Sequence, residues 1–343
     1  MASCHASYYP IVGRVDRQHA APHGPGLLLM GGGTDVDAAF QWMQRDIAGS
    51  ESGRGGDLVV LTASDDNAYT PYVYHLAPFG SVRTISLPPC ANSEDLARAA
   101  LVVDSAQAVF FAGGDQANYV RWKGSNLAAA VQRVYDRGGV VGGTSAGLAI
   151  LGQIAFDAVA GDRRNIDVHT RDAVGDPYEP SISFTVSMFR FPALVGVITD
   201  THFRARDRFG RLAAFMAREL AAHAVKGSYV KGIGVDQRSA LVVDSRGIAT
   251  LLTQGPAGRA LFLRAGSAQR IMPRTPLLYR NIRVTLLDRA GQRFNLFTWT
   301  GDGTTYNVTV DGRARPIYAP ADPYVAPGRA SSTATITVQP PHR

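Results

Sequence analysis

The residues best placed to do chemistry are Gly142-Gly143-Thr144-Ser145-Ala146-Gly147-Leu148. They set a serine among glycines, between the apolar run Gly139-Val140-Val141 and an apolar segment from Leu148 to Leu151. A serine at the joint of a buried strand and a helix start has the layout of a nucleophile on a sharp strand-to-helix turn. Small neighbours let the backbone turn tightly and expose the Ser145 hydroxyl. They also aim the helix's free N–H groups at any anion formed beside it. The plain alternative is a glycine-rich turn whose serine merely caps the helix.

Such a serine needs a base, and the base needs an orienting group. Of the eight histidines, His202 has the context. It sits in Val197-Ile198-Thr199-Asp200-Thr201-His202-Phe203, just past a strand, which places it on the same sheet edge as Ser145. A basic stretch follows: Arg204, Arg206, Arg208 and Arg211. With a helix expected over Ala205–Leu220, Arg204, Arg208 and Arg211 recur at i, i+4 and i+7 and share a face. Their bland reading is a solvated helix surface; their functional reading is carboxylate recognition.

The elements that must position these groups alternate. Apolar strands are expected at Leu27–Met30, Leu58–Leu61, Ser81–Leu87, Ala108–Phe111, Val140–Val141, Gly196–Thr199 and Gly232–Val235. Helices fall between them at Val36–Arg45, Ser93–Val103, Gln116–Arg121, Leu127–Arg137, Ser145–Leu151 and Ala205–Leu220. That alternation is the signature of an α/β fold with a parallel sheet. Three strands end in glycine loops, Gly31-Gly32-Gly33-Thr34, Gly113-Gly114-Asp115-Gln116 and Gly142-Gly143-Thr144-Ser145, where open α/β sheets bind ligands. Gly31-Gly32-Gly33 lacks the spacing of a nucleotide loop and reads as a strand-end turn, with Thr34 or Asp35 capping the next helix.

After about Val243 the texture becomes an alternation of Thr, Val, Leu, Phe and Tyr in short runs between turns, a β-rich extension over 244–315. Residues 1–25 read as a loose leader without the apolar core of a secretion signal, and 316–343 as a flexible tail rich in Pro, Ala, Ser and Thr. The α/β domain is thus expected over 26–243.

Of the 343 residues, 45% are hydrophobic and 18% charged, a balance that suits a globular protein with a sizeable core. No stretch approaches the roughly 18 apolar residues of a membrane span. The net charge of +7 comes mostly from arginine and includes no basic block interleaved with aromatics, which argues against a nucleic-acid partner. Cys4 and Cys90 make neither a metal site nor a disulfide framework. The β-rich extension and the scarcity of cysteine and lysine favour a secreted or periplasmic protein over a cytoplasmic one. Asn307-Val308-Thr309 is a glycosylation sequon by pattern only.

Taken in order, Gly-Thr-Ser145-Ala-Gly, Gly113-Gly114-Asp115-Gln116, Asp200-Thr201-His202-Phe203 with Arg206, Arg208 and Arg211, and Gly232-Ile233-Gly234-Val235-Asp236 resemble the cyanophycinases. These belong to a serine-peptidase family that also contains α-aspartyl dipeptidase. The resemblance runs from about Gly26 to Val243. It implies a flavodoxin-like parallel sheet with helices on both faces, and a Ser–His–acid triad that needs no metal or other cofactor. Ser145 is then the nucleophile, His202 the base, and the backbone N–H groups of Gly114 and Ala146 the oxyanion hole. Gln116, Arg206, Arg208 and Arg211 bind substrate. The implied substrate is an aspartyl peptide, or cyanophycin itself cut to β-Asp-Arg dipeptides, and a homodimer is compatible with the family.

The acid is sought between nucleophile and base, among Asp157, Asp162, Asp167 and Asp172; Asp167 fits the spacing best and Asp162 second. Two departures matter. Asp200-Thr201-His202 stands where the family has Asp-Gln-His, and Asp236-Gln237 where it has Asp-Glu. An α-aspartyl dipeptidase, another serine hydrolase, or a catalytically silent binding protein are the alternatives these departures leave open.

Overall fold

Leu27-Leu28-Leu29-Met30 and Leu58-Val59-Val60-Leu61 are apolar at every position, the pattern of strands covered on both faces. The computed structural model describes residues 4–15, 22–48, 53, 55–64, 66–160 and 167–328. In it these runs form the centre of a parallel sheet. Its spatial order is Ser81–Ser86, Asp57–Thr62, Ala108–Phe111, Val140–Thr144, Gly26–Met30. Successive side chains point to opposite faces. Leu28, Met30, Leu58 and Val60 pack against Phe40 and Met43 of the helix Asp37–Ala48. Leu27, Leu29, Val59 and Leu61 join Val103 and Val131, from the helices Ser93–Asp104 and Asn126–Asp136. This is the expected α/β sheet with helices on both faces.

The sheet continues antiparallel beyond Gly26–Met30 through Ser239–Val243, Ile248–Thr253, Arg293–Asn295 and Thr300–Gly301. A second sheet runs Tyr318–Ala319, Thr304–Asp311, Thr275–Leu287, Ala260–Ala265, Val230–Val235, Val197–Asp200, Ile154–Phe156, Phe184–Val186. Among the described residues the two sheets hold 11 and 9 strands. One face of the second sheet packs toward the first, with Phe262 stacked on Phe294 at 3.8 Å between ring centroids. Its other face, through Ile198, Leu261, Leu263 and Val284, buries Leu212, Phe215 and Met216 of the helix Phe209–Ala221.

Several expectations are corrected. Val197–Asp200 and Val230–Val235 pair parallel with each other, but in the second sheet rather than beside Val140–Thr144. Strand and helix periodicity states that strands run parallel; it does not say which strands are neighbours. The texture change near Val243 coincides with no break in either sheet. Ile248–Thr253 extends the first, while Ala260–Ala265, Thr275–Leu287 and Thr304–Asp311 extend the second.

Part of the expected leader, residues 4–13, is also tied down. Ser7–Tyr8 and Val12–Gly13 pair with Ser81–Ser86 and cover that edge strand. A Cys4–Cys90 disulfide, against expectation, links this segment to the domain across a sequence separation of 86. Strands of two residues carry no periodicity to read, and a pairing so distant in sequence leaves no local signal. Of the expected tail, Tyr318–Ala319 pairs with Thr304–Asp311, and Tyr324 is buried; residues 329–343 lie outside the described part.

Candidate active site

Ser145 sits between the strand Val140–Thr144 and the single-turn helix Ala146–Ala149, with φ 51° and ψ −116°. A non-glycine residue at such a φ is strained and persists only where its surroundings hold it. Here the surroundings are close backbone contacts. A Cβ added to Gly143 would lie 2.4 Å from the carbonyl carbon of Gly147, and one added to Gly147 would lie 2.2 Å from the oxygen of Phe111. The Ser145 N–H donates to Met30 O at 3.1 Å. Its side chain makes no capping hydrogen bond, so the capping alternative does not apply.

Instead the Ser145 hydroxyl meets His202, with Oγ 2.8 Å from Nε2. His202 follows the strand Val197–Asp200, has φ 47°, and donates its backbone N–H to Gly31 O at 2.8 Å. The glycine loop expected to be a simple turn is thus the seat of His202. A Cβ on Gly32 would come within 2.5 Å of the imidazole, so the ring fits only over a glycine. Burial, then the positive charges of Arg206 and Arg208, push the His202 pKa down to about 4. The ring is therefore neutral across the physiological range.

The orienting partner is not the expected one. His202 Nδ1 lies 2.8 Å from Nε2 of Gln237, two residues past the strand Val230–Val235. Asp167 instead accepts from Arg208 at 2.7 Å, Arg211 at 2.9 Å and Arg206 at 3.4 Å. Burial alone would raise its carboxyl, but Arg208, Arg211 and Arg206 outweigh burial and hold it below the usual carboxylate range. Asp162 lies outside the described residues. Asp157 accepts from Ser183 and Thr185, and Asp172 from the backbone of His169. The signal for Gln237 was present in the sequence as the departure from Asp-Glu; its meaning depended on the strand being placed beside His202.

The basic stretch is not a helix face. The helix begins only at Phe209, and residues 203–208 form a turn closed by Arg206 N–H to His202 O and Arg208 N–H to Phe203 O, 3.0 and 2.8 Å. Arg204 points elsewhere, 3.6 Å from Asp322. Arg211 forks onto Asp200, Nε to Oδ2 at 2.8 Å and Nη2 to Oδ1 at 2.6 Å, with both side chains about 3–4% exposed. Arg208 donates to the carbonyl and hydroxyl of Thr201 at 3.1 Å each, which gives the departing threonine its place. Arg206 is half exposed.

Ser145 opens onto a pocket whose lining includes Gly114, Gln116, Ala146, Thr201 and Asp167, together with Arg206, Arg208 and Arg211. The structure therefore brings together every site residue expected from the sequence, with Asp167 moved from the base to the arginines. Gln116 is carried on the short helix Gln116–Val120, capped by Asp115, which accepts from Ala117 N–H at 2.9 Å. Among the described residues, no group of three or more His, Cys, Asp or Glu side chains is placed to hold a metal.

An α/β protein that holds a serine on a strained strand-to-helix turn, against a neutral histidine, has the arrangement of a nucleophilic hydrolase. No family model matches the chain. It is similar to cyanophycinases: that of Trichormus variabilis is 27% identical over 215 residues, 62% of this chain and 63% of that protein. The cyanophycinase of a Nostoc species is 27% identical over 202 residues, 58% of this chain and 60% of that one. The match thus spans under two thirds of either relative's length. A solved peptidase from an acI-B1 actinobacterium aligns with TM-score 0.47 and 16% identity over 80% of this chain and 98% of that one. A putative peptidase E protein from Listeria monocytogenes aligns with TM-score 0.39 and 14% identity over 68% of this chain and all of the other.

Proposed function

We propose that the protein is a cyanophycinase-like serine exopeptidase that hydrolyses aspartyl peptides, releasing β-Asp-Arg from cyanophycin. The observation that carries this reading is the 2.8 Å contact of Ser145 Oγ with His202 Nε2 at the mouth of an arginine-walled pocket. Ser145 attacks the amide carbonyl while His202 takes its proton. The N–H groups of Gly114 and Ala146 receive the resulting oxyanion, each worth about 3 kcal/mol. His202 then gives its proton to the amine as the C–N bond breaks, and a water deprotonated by His202 cleaves the acyl–Ser145 ester. On one side of the pocket three guanidiniums meet Asp167 and Asp200, and Asp115 lines it as a third carboxylate. Arg206, half exposed and reaching Asp167 only at 3.4 Å, is the group free to take a substrate carboxylate. The Cys4–Cys90 disulfide supports an exported protein, since such bonds persist in oxidising compartments.

Gln237 sets the condition for catalysis. With its amide nitrogen toward Nδ1, the imidazole carries its proton on Nε2 and cannot accept one from Ser145. A half-turn of the amide presents its oxygen to Nδ1–H and frees Nε2 as the base. An amide also lends the imidazolium less stabilisation than a carboxylate would. This favours, as a second reading, a slow hydrolase or a binding protein on the same fold. The test is release of β-Asp-Arg from insoluble cyanophycin by wild type and Ser145→Ala, beside labelling with a sulfonyl fluoride. Dipeptide release and labelling that both vanish in the variant support the peptidase. A wild type that does neither leaves the binding reading; activity on short Asp-x peptides but not on the polymer points to a dipeptidase.

A further inference from the structure

The turn that carries Arg206 and Arg208 is held from two sides. From within the domain, His202 N–H donates to Gly31 O, Phe203 N–H to Val235 O at 3.3 Å, and Arg204 N–H to the Asp236 carboxylate. From outside it is gripped by the C-terminal segment 317–326, which runs beyond the part that resembles the cyanophycinases. Tyr318 and Tyr324 both donate to the same oxygen of Asp207, each at 2.9 Å. The two hydroxyls in turn accept the first free N–H groups of the helix, Phe209 N–H to Tyr324 at 2.9 Å and Gly210 N–H to Tyr318 at 3.2 Å. The phenols thus cap a helix whose own N-cap residue, Arg208, makes no side-chain cap.

Packing repeats the polar pattern. The Tyr324 ring stands edge-on to Phe203 at 5.7 Å and to Phe209 at 6.1 Å, so it touches both ends of the turn. Arg259 donates to Tyr324 O at 2.8 Å, Tyr306 to Pro323 O at 2.7 Å, and Tyr318–Ala319 pairs with the second sheet. The segment is therefore anchored independently of the turn it grips. Asp207 has φ 44°, a conformation that needs outside support in a non-glycine residue.

We propose that this C-terminal strap is a positioning element for the pocket: through Tyr318 and Tyr324 on Asp207 it holds the 203–208 turn so that Arg206 stands ready for an acidic substrate, with Arg208 fixed beside it on Thr201 and Asp167. The inference rests on the aspartyl-peptidase reading for its substrate, and on geometry alone for its effect on the turn. Asp207, Tyr318 and Tyr324 are positioning residues, because they act through the arginines and touch neither Ser145 nor the pocket.

The experiment compares wild type with Tyr318→Phe/Tyr324→Phe, which keeps both rings and removes both hydroxyls, and with Asp207→Asn, which keeps an acceptor oxygen. Amide hydrogen exchange at residues 206–208 is read first, and it needs no activity. The double variant should exchange there about tenfold faster with the core strands unchanged, and Asp207→Asn should stay near wild type. Kinetics on an Asp-containing peptide should then show KM raised about tenfold in the double variant, with kcat changed by less than about twofold and sulfonyl-fluoride labelling of Ser145 preserved. Unchanged exchange at 206–208 in the folded double variant overturns the proposal. So does faster exchange with KM unchanged in an active enzyme. A wild type without activity defeats the peptidase reading while the exchange data still decide whether the strap holds the turn.

Discussion

The two halves of the site are built by different forces. The Ser145 turn is a steric object: Gly143, Gly147 and the Phe111 carbonyl lie so close that the chain can take only one path, and nearly everything that shapes it is within a few residues or on the adjacent strand. The His202 turn is an electrostatic and tertiary object. Its ring rests on Gly32, its Nδ1 on Gln237, and its arginines on Asp167 and Asp200. A nucleophile needs a fixed bond direction, which local packing supplies. The charges around His202 are partly local, from Asp200, Arg206 and Arg208, but Asp167, Gln237 and the Gly32 seat come from elsewhere in the chain.

Four substitutions break or sharpen that contrast. The largest effect belongs to Ser145→Ala, which should lower kcat on a cleaved aspartyl peptide by about 10^4-fold or more while leaving the thermal midpoint near wild type. Residual turnover close to wild type would show that another group attacks. Next, Arg211→Met removes one member of a fully desolvated fork and leaves Asp200 buried without it. Chemical denaturation should show a loss of about 3–5 kcal/mol, far more than any exposed ion pair of this protein can give. A loss under about 1 kcal/mol would mean the fork contributes no more than a surface pair.

Gly32→Ala sharpens the comparison from the other side, since the added Cβ enters the imidazole. Displacing the base by about 1 Å should reduce kcat about 100-fold, with Ser145 labelling falling in parallel. Labelling and turnover that stay at wild-type levels would place the working base elsewhere. The smallest expected change is a gain: Gln237→Glu puts a carboxylate on Nδ1, fixes the base tautomer and should raise kcat/KM about tenfold at neutral pH. The pH profile checks the same contact. Wild-type activity should hold until pH falls through about 4, where His202 takes up a proton. In Gln237→Glu the added negative charge favours the imidazolium, so that acid limb should move to higher pH. A limb that stays in place would separate Gln237 from the titrating base.

Much of the fold was legible. Runs apolar at every position, separated by amphipathic segments, identified the doubly covered parallel sheet, and two of the glycine loops at strand ends lead into the pocket beside Ser145. Ser145, His202, Arg206, Arg208 and Arg211, singled out by their types and spacing, lie together in the fold. What failed was contact between distant elements. Asp167 was expected on the histidine because it lies between nucleophile and base in the chain. The fold instead turns it toward three guanidiniums and brings Gln237, two residues past a strand of the second sheet, to Nδ1. Arg204, Arg208 and Arg211 looked like one helix face, but the helix begins at Phe209: Arg208 and Arg211 meet on Asp167, while Arg204 leaves the turn toward Asp322.

By itself, the sequence determined the elements that depend on short-range physics: strand and helix periods, the tight glycine joints, and the chemical types available for catalysis. The tertiary structure alone decided how the strands divide between two sheets, what holds His202, which charges cancel, and that part of the leader and the C-terminal strap are structural. Periodicity and sterics act over a few residues and leave their mark there. Strand neighbours and ion pairs join residues from about ten to a hundred positions apart, beyond the reach of any local period.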